Sequence, residues 1–280
     1  MFVIYSALPV VEFQKITQRL CMRLVDAIAH ILKKENIKYL SCFPTTPVIE
    51  AAAAVGIRPI ICRQERVGVG IADGYSRMTR GTPPGVFAMQ SGPGAENAYA
   101  GVATAYSDSV PMLLLPLGHP VNRDGVFPNF SSVRSYESIV KSVEQINDLD
   151  RVGEALRRAF ARMKLGRPGP VMVEIPSDLA IQEVNSSVVE EYKPIETTLS
   201  EADPQDVLRA ADMFLRSRDP LIYVGQGALY AQATKELTEL AELLRCPVVT
   251  TMAGKGSIDE RHPLALGSTS SVVNGAAYHY

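Results

Sequence analysis

Apolar positions along this chain keep changing period, from the spacing of a helix to that of a strand and back. Leu24, Val25, Ile28, Ile31 and Leu32 share one helical face, and "KYLSCFP" then reads as a strand ending at Pro44. The cycle repeats with "PVIEAAAAVG" as helix and "RPIICR" as strand, then a helix that carries Glu65, then the strand "PGVFAMQ". After "SGPG" come the helix "AENAYAGVATAYSDS" and the strand "VPMLLLPLG"; later "LDRVGEALRRAFARMKLG" reads as helix and "GPVMVEIP" as strand. Runs such as "MLLLPL" and "VMVEI" are apolar on both faces, as strands buried between two helical layers must be. Residues 22–181 are therefore expected to form an α/β domain, an open parallel sheet sandwiched by helices.

Periodicity fades between residues 182 and 202, where "QEVNSSVVEEYKPIETTLSEAD" is polar and reads as a linker. A second α/β unit is expected over 203–280. Asp203 and Pro204 open a helix, "PLIYVGQGA" and "CPVVTTMAGKG" supply two strands, and "ATKELTELAELLR" is a helix between them. Two strands do not make a doubly wound sheet, so this Rossmann-like unit is expected to be incomplete as it stands. Residues 1–21 precede the first strongly amphipathic helix and read as an N-terminal extension.

Composition narrows the function classes. The 280 residues carry a formal net charge of −2 with 46% hydrophobic and 21% charged residues, an ordinary globular balance with no basic excess for nucleic acid. The opening "MFVIYSALPVVEFQK" lacks a basic region and meets Glu12 early, so neither a secretory signal nor a membrane span is expected. Cys21, Cys42, Cys62 and Cys246 are far apart with no C-x-x-C pair, which points to reduced packing thiols of a cytoplasmic protein rather than to zinc.

Two segments carry candidate chemistry. In "CRQERVGVGIADGYSRMTRG" an acid, Glu65, stands at a strand-to-helix junction, where open α/β sheets place ligands. An acid at a helix start is also stabilised by the helix dipole without any further role. The helix behind it holds Gly68, Gly70 and Gly74, each of which lowers helix propensity by about 1 kcal/mol; glycines are kept in a helix where another backbone or a flat ligand comes close. The second segment is the turn Ser91-Gly92-Pro93-Gly94, straight after a strand and opening a helix lined with alanines. It can present bare N–H groups to a ligand or serve as a close-packed turn. It is neither a P-loop nor G-x-G-x-x-G, and "VGQGA" in the second unit is an incomplete dinucleotide fingerprint.

In this order and spacing the two segments resemble the pyrimidine-binding domain of thiamine diphosphate enzymes of the acetolactate synthase and 2-oxoacid decarboxylase type. The resemblance runs from about Met22 to "LGRPGPVMVEIPSDL" and continues into the middle domain through "DPLIYVGQGA" and "ELLRCPVVTTMAGKGSIDERHPLALG". It implies that Glu65 is the catalytic acid that hydrogen-bonds a ring nitrogen of the aminopyrimidine. A carboxyl group in apolar surroundings can share a proton with that ring and so favour the tautomer that activates the thiazolium carbon for attack on a 2-oxoacid such as pyruvate. It also implies that Pro44 and Thr45 touch the aminopyrimidine, and that Gln90, Gly92, Pro93 and Asn97 form the cofactor-facing turn and helix start.

Several residues depart from the synthase pattern. Thr45-Thr46 stand where glycines often follow the proline, Gln64 stands where many synthases have histidine before the acid, and "GVFPNFSS" lacks the phenylalanine-glutamine pair. His119 in "LGHP" ends a strand and either faces substrate or lies in an exposed loop; Lys255 in "AGKGS" either meets a flavin or nucleotide phosphate or is a solvated lysine. The sequence has no G-D-G motif for Mg²⁺, so no metal ligand is assigned. The ion and the cofactor's diphosphate are expected to be held by a further domain, from additional sequence or a second chain. FAD is a further possible cofactor, and a homo-oligomer through the pyrimidine-binding domain is expected. The activity expected is a thiamine diphosphate-dependent lyase or carboligase; the alternatives are a 2-oxoacid or acyl-CoA decarboxylase and a non-catalytic interaction module.

Overall fold

A computed structural model of the chain describes residues 21–196 and 200–269, so the extension read over residues 1–21 lies, except for Cys21, outside the described residues, as do residues 197–199 of the linker and the last eleven residues. The chain divides into two units, Met1–Thr197 and Thr198–Tyr280.

The first unit contains, in order, β1 (Cys21–Arg23), α1 (Leu24–Lys34), β2 (Tyr39–Cys42), α2 (Val48–Ala54), β3 (Arg58–Ile61), α3 (Glu65–Thr79), β4 (Gly85–Met89), α4 (Pro93–Ser107) and β5 (Met112–Gly118). Then follow α5 (Ser132–Tyr136), β6 (Val143–Gln145), α6 (Val152–Lys164), β7 (Pro170–Pro176), β8 (Glu183–Asn185) and α7 (Ser187–Glu190). Six strands form one sheet in the order β3-β2-β4-β5-β7-β6, every neighbouring pair parallel.

Alternation along each strand divides the apolar residues between two cores. Val86, Ala88, Leu113, Leu115, Val171 and Val173 face the side covered by α1 and α6, where Leu24, Ile28, Leu32, Leu156 and Phe160 are buried. Phe87, Met89, Met112, Leu114 and Met172 face the other side, against Val69 of α3, Ala98 and Val102 of α4 and Tyr136 of α5. Each large side chain so buried contributes roughly 1.5–3 kcal/mol. The same division separates Cys42 from Cys62, which belong to opposite cores; all four cysteines are free thiols.

The stretch after β7 differs from the linker expected over 182–202. Glu183–Asn185 pair antiparallel with Cys21–Arg23, and Val184, Val189 and Tyr192 are buried in the first core. Lys34 Nζ donates to the carbonyls of Val189, Glu190 and Tyr192. Glu35, buried under the same segment, accepts from Lys164 Nζ at 2.8 Å and Tyr192 Oη at 2.6 Å. Hydrophobic anchors this sparse leave no period to read in the sequence, and the three-residue strand that contains Cys21 is too short to signal itself.

The second unit comprises α8 (Pro204–Arg216), β9 (Ile222–Val224), α9 (Gly227–Tyr230), α10 (Thr234–Leu244), β10 (Val248–Thr250) and β11 (Ala265–Ser268). Asp203 caps α8, its carboxylate accepting from the Gln205 N–H at 2.8 Å. The sheet has three parallel strands in the order β11-β10-β9, where the sequence pattern suggested two; "ALGS" in β11 is too short and too glycine-rich to announce a strand. Val224, Ala241, Val248 and Ile258 form its small core.

Candidate active site

Glu65 is the first residue of α3, following Gln64 in extended conformation. No side chain caps this helix start, so its bare N–H groups and dipole favour an acid there. Three close contacts seat α3 on the sheet. Ser41 Oγ donates to the Gly68 carbonyl at 2.8 Å. A Cβ on Gly68 would stand 2.3 Å from the Phe87 ring, and one on Gly85 would stand 2.1 Å from the Ala72 carbonyl oxygen. Only glycine at both positions lets helix and strand approach this closely. Glu65 is thereby held at the carboxyl edge of the sheet, 6% exposed.

The second wall is α4. Gly92, at φ 60°, makes a turn that a side chain would strain, and Pro93 then starts the helix. Tyr136 Oη donates to the Ala95 carbonyl at 2.6 Å, tying this first turn to α5. Asn97, one turn in, donates from Nδ2 to Glu65 Oε2 at 2.8 Å. Gly94 lies over the same carboxylate: a Cβ there would be 3.2 Å from Glu65 Oε1 and 2.6 Å from Gln90 Cγ. Along the seam, Val69 and Gly101 repeat the approach one turn further on, a Cβ on Gly101 falling 2.3 Å from Val69 Cγ1.

Glu65, Gln90, Gly92, Pro93 and Asn97 thus lie together where β3, β4 and the starts of α3 and α4 meet. Pro44 and Thr45 are exposed in the loop after β2, whose end pairs with β4 at Cys42 and Ala88, so they share that edge. Thr46 is buried and its Oγ1 accepts from the Val48 N–H at 3.3 Å, starting α2 rather than facing the edge. Gly94, read in the sequence as part of the Ser91–Gly94 turn but not assigned to the cofactor, and Tyr136, not singled out there, complete the arrangement. For Gly94 the signal was available in the Ser91–Gly94 turn; Tyr136 has none, because its role depends on the α4 carbonyl that it meets.

Chemically this is a buried carboxylate with one amide partner, Oε2 engaged by Asn97 and Oε1 packed under Gly94. Among the described residues, only Asn97 hydrogen-bonds it. Such a cradle fits a flat heteroaromatic ring that offers a nitrogen or N–H to the acid, as an aminopyrimidine does. No group of three or more His, Cys, Asp or Glu is arranged to hold a metal among the described residues, and no described helix is long and apolar enough to cross a membrane. A hollow of about 420 Å³ lined by Tyr106, Ser107, Lys141, Arg167 and Pro168 lies at the opposite, amino edge of the sheet. Its cations are engaged on backbone carbonyls, Lys141 on Arg162 and Leu165 and Arg167 on Ser107. Lys255 is paired with Glu260 at 2.6 Å.

Fold and site together define an α/β protein with a buried acid at the carboxyl edge of a parallel sheet. The family model for the thiamine pyrophosphate enzyme N-terminal TPP binding domain matches residues 22–145, and that for the thiamine pyrophosphate enzyme central domain matches residues 207–280. The chain belongs to the thiamine diphosphate enzyme superfamily. It is 34% identical over 257 residues to the probable acetolactate synthase large subunit of Methanococcus aeolicus, an alignment covering 88% of this chain and 42% of that protein. It is 32% identical over 275 residues to the acetolactate synthase of Arthrospira platensis, covering 91% and 46%. To the acetolactate synthase large subunit of Porphyra purpurea it is 35% identical over 227 residues, covering 79% and 38%. The chain therefore spans less than half the length of the curated relatives it matches.

Proposed function

We propose that this chain supplies the aminopyrimidine-binding half of a thiamine diphosphate-dependent enzyme of the acetolactate synthase type, acting on a 2-oxoacid such as pyruvate in the cytoplasm. The observation that carries the proposal is the Glu65 carboxylate, buried at the carboxyl edge of the sheet, oriented by Asn97 and closely approached by the glycine turn that starts α4. The cofactor, when bound, supplies a carbon nucleophile that also accepts the electrons left by lost CO₂. Glu65 holds a proton at Oε1 for the ring. Asn97 orients the carboxylate, Gly92 and Pro93 start the helix that carries Asn97, and Gln90, Pro44 and Thr45, at the same edge, would help hold the ring.

Mg²⁺ and the diphosphate need hard oxygen ligands, a role for a further domain. FAD, if used, belongs to the second unit, where the Lys255–Glu260 pair leaves that lysine an indifferent phosphate ligand. A second copy of the chain is the partner that fits α3. Val67, Ile71 and Met78 are exposed along it, and Gly70 and Gly74 open onto empty space between them, a smooth apolar stripe suited to close helix packing.

Product analysis tests the reading. The full-length gene product, given pyruvate, thiamine diphosphate and Mg²⁺, is expected to form acetolactate. Acetaldehyde as the sole product would replace the synthase reading with a decarboxylase, and no consumption of any 2-oxoacid would leave a non-catalytic module.

A further inference from the structure

Three buried side-chain polar atoms have no partner among the described residues: His119 Nε2, Ser142 Oγ and Thr234 Oγ1. Ser142 precedes the amino end of β6, away from the carboxyl edge of its sheet, and Thr234 opens α10 in the second unit. His119 directly follows β5. The β4–β5 register pairs Met89 with Pro116 at the carboxyl ends of both strands, so His119, three residues on, lies at the same edge of the sheet from which the Gly92 turn opens α4. On the other side of β5, Gly118 pairs with Pro176.

The backbone around His119 is pinned. Gly118 sits so close to β7 that a Cβ would be 2.8 Å from the Glu174 carboxyl carbon, and the Val121 N–H donates to Asp178 Oδ1 at 3.1 Å. The buried Glu174 carboxylate is already engaged, accepting from Ser132 Oγ and from Gln145 Nε2, so it does not use the imidazole. A fixed backbone, a buried ring nitrogen without a partner and a position at the carboxyl edge of the central strand β5 together describe a nitrogen that waits for a ligand oxygen, since buried nitrogen left unpaired is destabilising.

We propose that His119 Nε2 hydrogen-bonds an oxygen of the 2-oxoacid, in its carboxylate or adjacent carbonyl, and so sets substrate affinity at this site. The inference rests on the reading of the Glu65 cradle as the reaction centre. Its test uses oxamate, which has the carboxylate and neighbouring carbonyl of a 2-oxoacid but cannot lose CO₂, titrated into the full-length gene product loaded with thiamine diphosphate. His119→Leu should weaken oxamate binding and raise KM for pyruvate by about tenfold or more, with thiamine diphosphate affinity unchanged. His119→Gln, whose amide nitrogen reaches the place of Nε2, should restore most of both. Oxamate affinity unchanged in His119→Leu, or Gln and Leu variants equally impaired, would overturn it. If wild type binds oxamate through His119 yet turns over no 2-oxoacid, the proposed reaction fails while the binding role stands.

Discussion

Replacing Gly101 with alanine separates the geometry of the site from the stability of the fold. Gly101 and Asn97 are one turn apart on α4, as Val69 and Glu65 are on α3, so the two contacts are neighbours along one seam. The new Cβ would fall 2.3 Å from Val69 Cγ1, whereas ordinary contact begins near 3.4 Å, so the helices must part locally by about 1 Å. Val69 cannot swing aside cheaply, because a helical valine is confined almost wholly to one rotamer. Overpacking of this kind costs about 1–3 kcal/mol, while alanine in place of glycine inside a helix returns about 1 kcal/mol. The net loss of stability is expected to be about 0–2 kcal/mol. A parting of that size one turn away would stretch the 2.8 Å Asn97–Glu65 bond beyond the roughly 3.2 Å limit for N–H···O hydrogen bonds. Urea denaturation gives the first quantity and calorimetric titration of the full-length gene product with thiamine diphosphate the second. The expected result is a small change in the urea midpoint with affinity reduced tenfold or more. A protein stabilised by about 1 kcal/mol with unchanged affinity would refute the seam.

Gly70→Ala and Gly74→Ala meet nothing within 4 Å, so each should raise helix stability by up to about 1 kcal/mol in urea melts while weakening self-association, read by light scattering, if α3 pairs with a second copy. Tyr192→Phe removes one of two partners from the buried Glu35 carboxylate and should cost about 1–3 kcal/mol; no change in the urea midpoint would return residues 183–192 to a loose linker. Burial pushes the Cys42 thiol from its ordinary 9.0 up to about 11. The folded state therefore favours the neutral thiol, a stabilisation fully present below pH 9 and lost as pH rises towards 11. Melting temperature should be flatter with pH over that window in Cys42→Ala than in wild type, and identical slopes would count against the assignment.

The sequence disclosed what has a period. Strands such as Met112–Gly118 and Pro170–Pro176 are apolar on both faces because helices cover both, and that pattern is local enough to read. Glu65 was conspicuous for a related reason: a lone acid before a glycine-studded helix contradicts its surroundings. What stayed hidden depends on distant partners. The pairing of Cys21–Arg23 with Glu183–Asn185 spans most of the unit, and three residues a side leave no alternation to count. The Asn97–Glu65 bond joins two helices whose crossing is set by Gly101 and Gly85, glycines whose meaning appears only when the opposing atom is known. His119 showed the same limit from the other direction, since its position at a strand end was legible but its unpaired nitrogen was not.

Turnover of pyruvate by the full-length gene product carrying Glu65→Gln decides most directly whether Glu65 serves the cofactor ring or only the helix start, because glutamine keeps the size and the hydrogen bond to Asn97 but cannot hold a transferable proton. The expected result is an unchanged fold by circular dichroism with at least a hundredfold loss of kcat, on the order of 3 kcal/mol. Near wild-type turnover would contradict the cofactor role and leave Glu65 as a helix-start acid only.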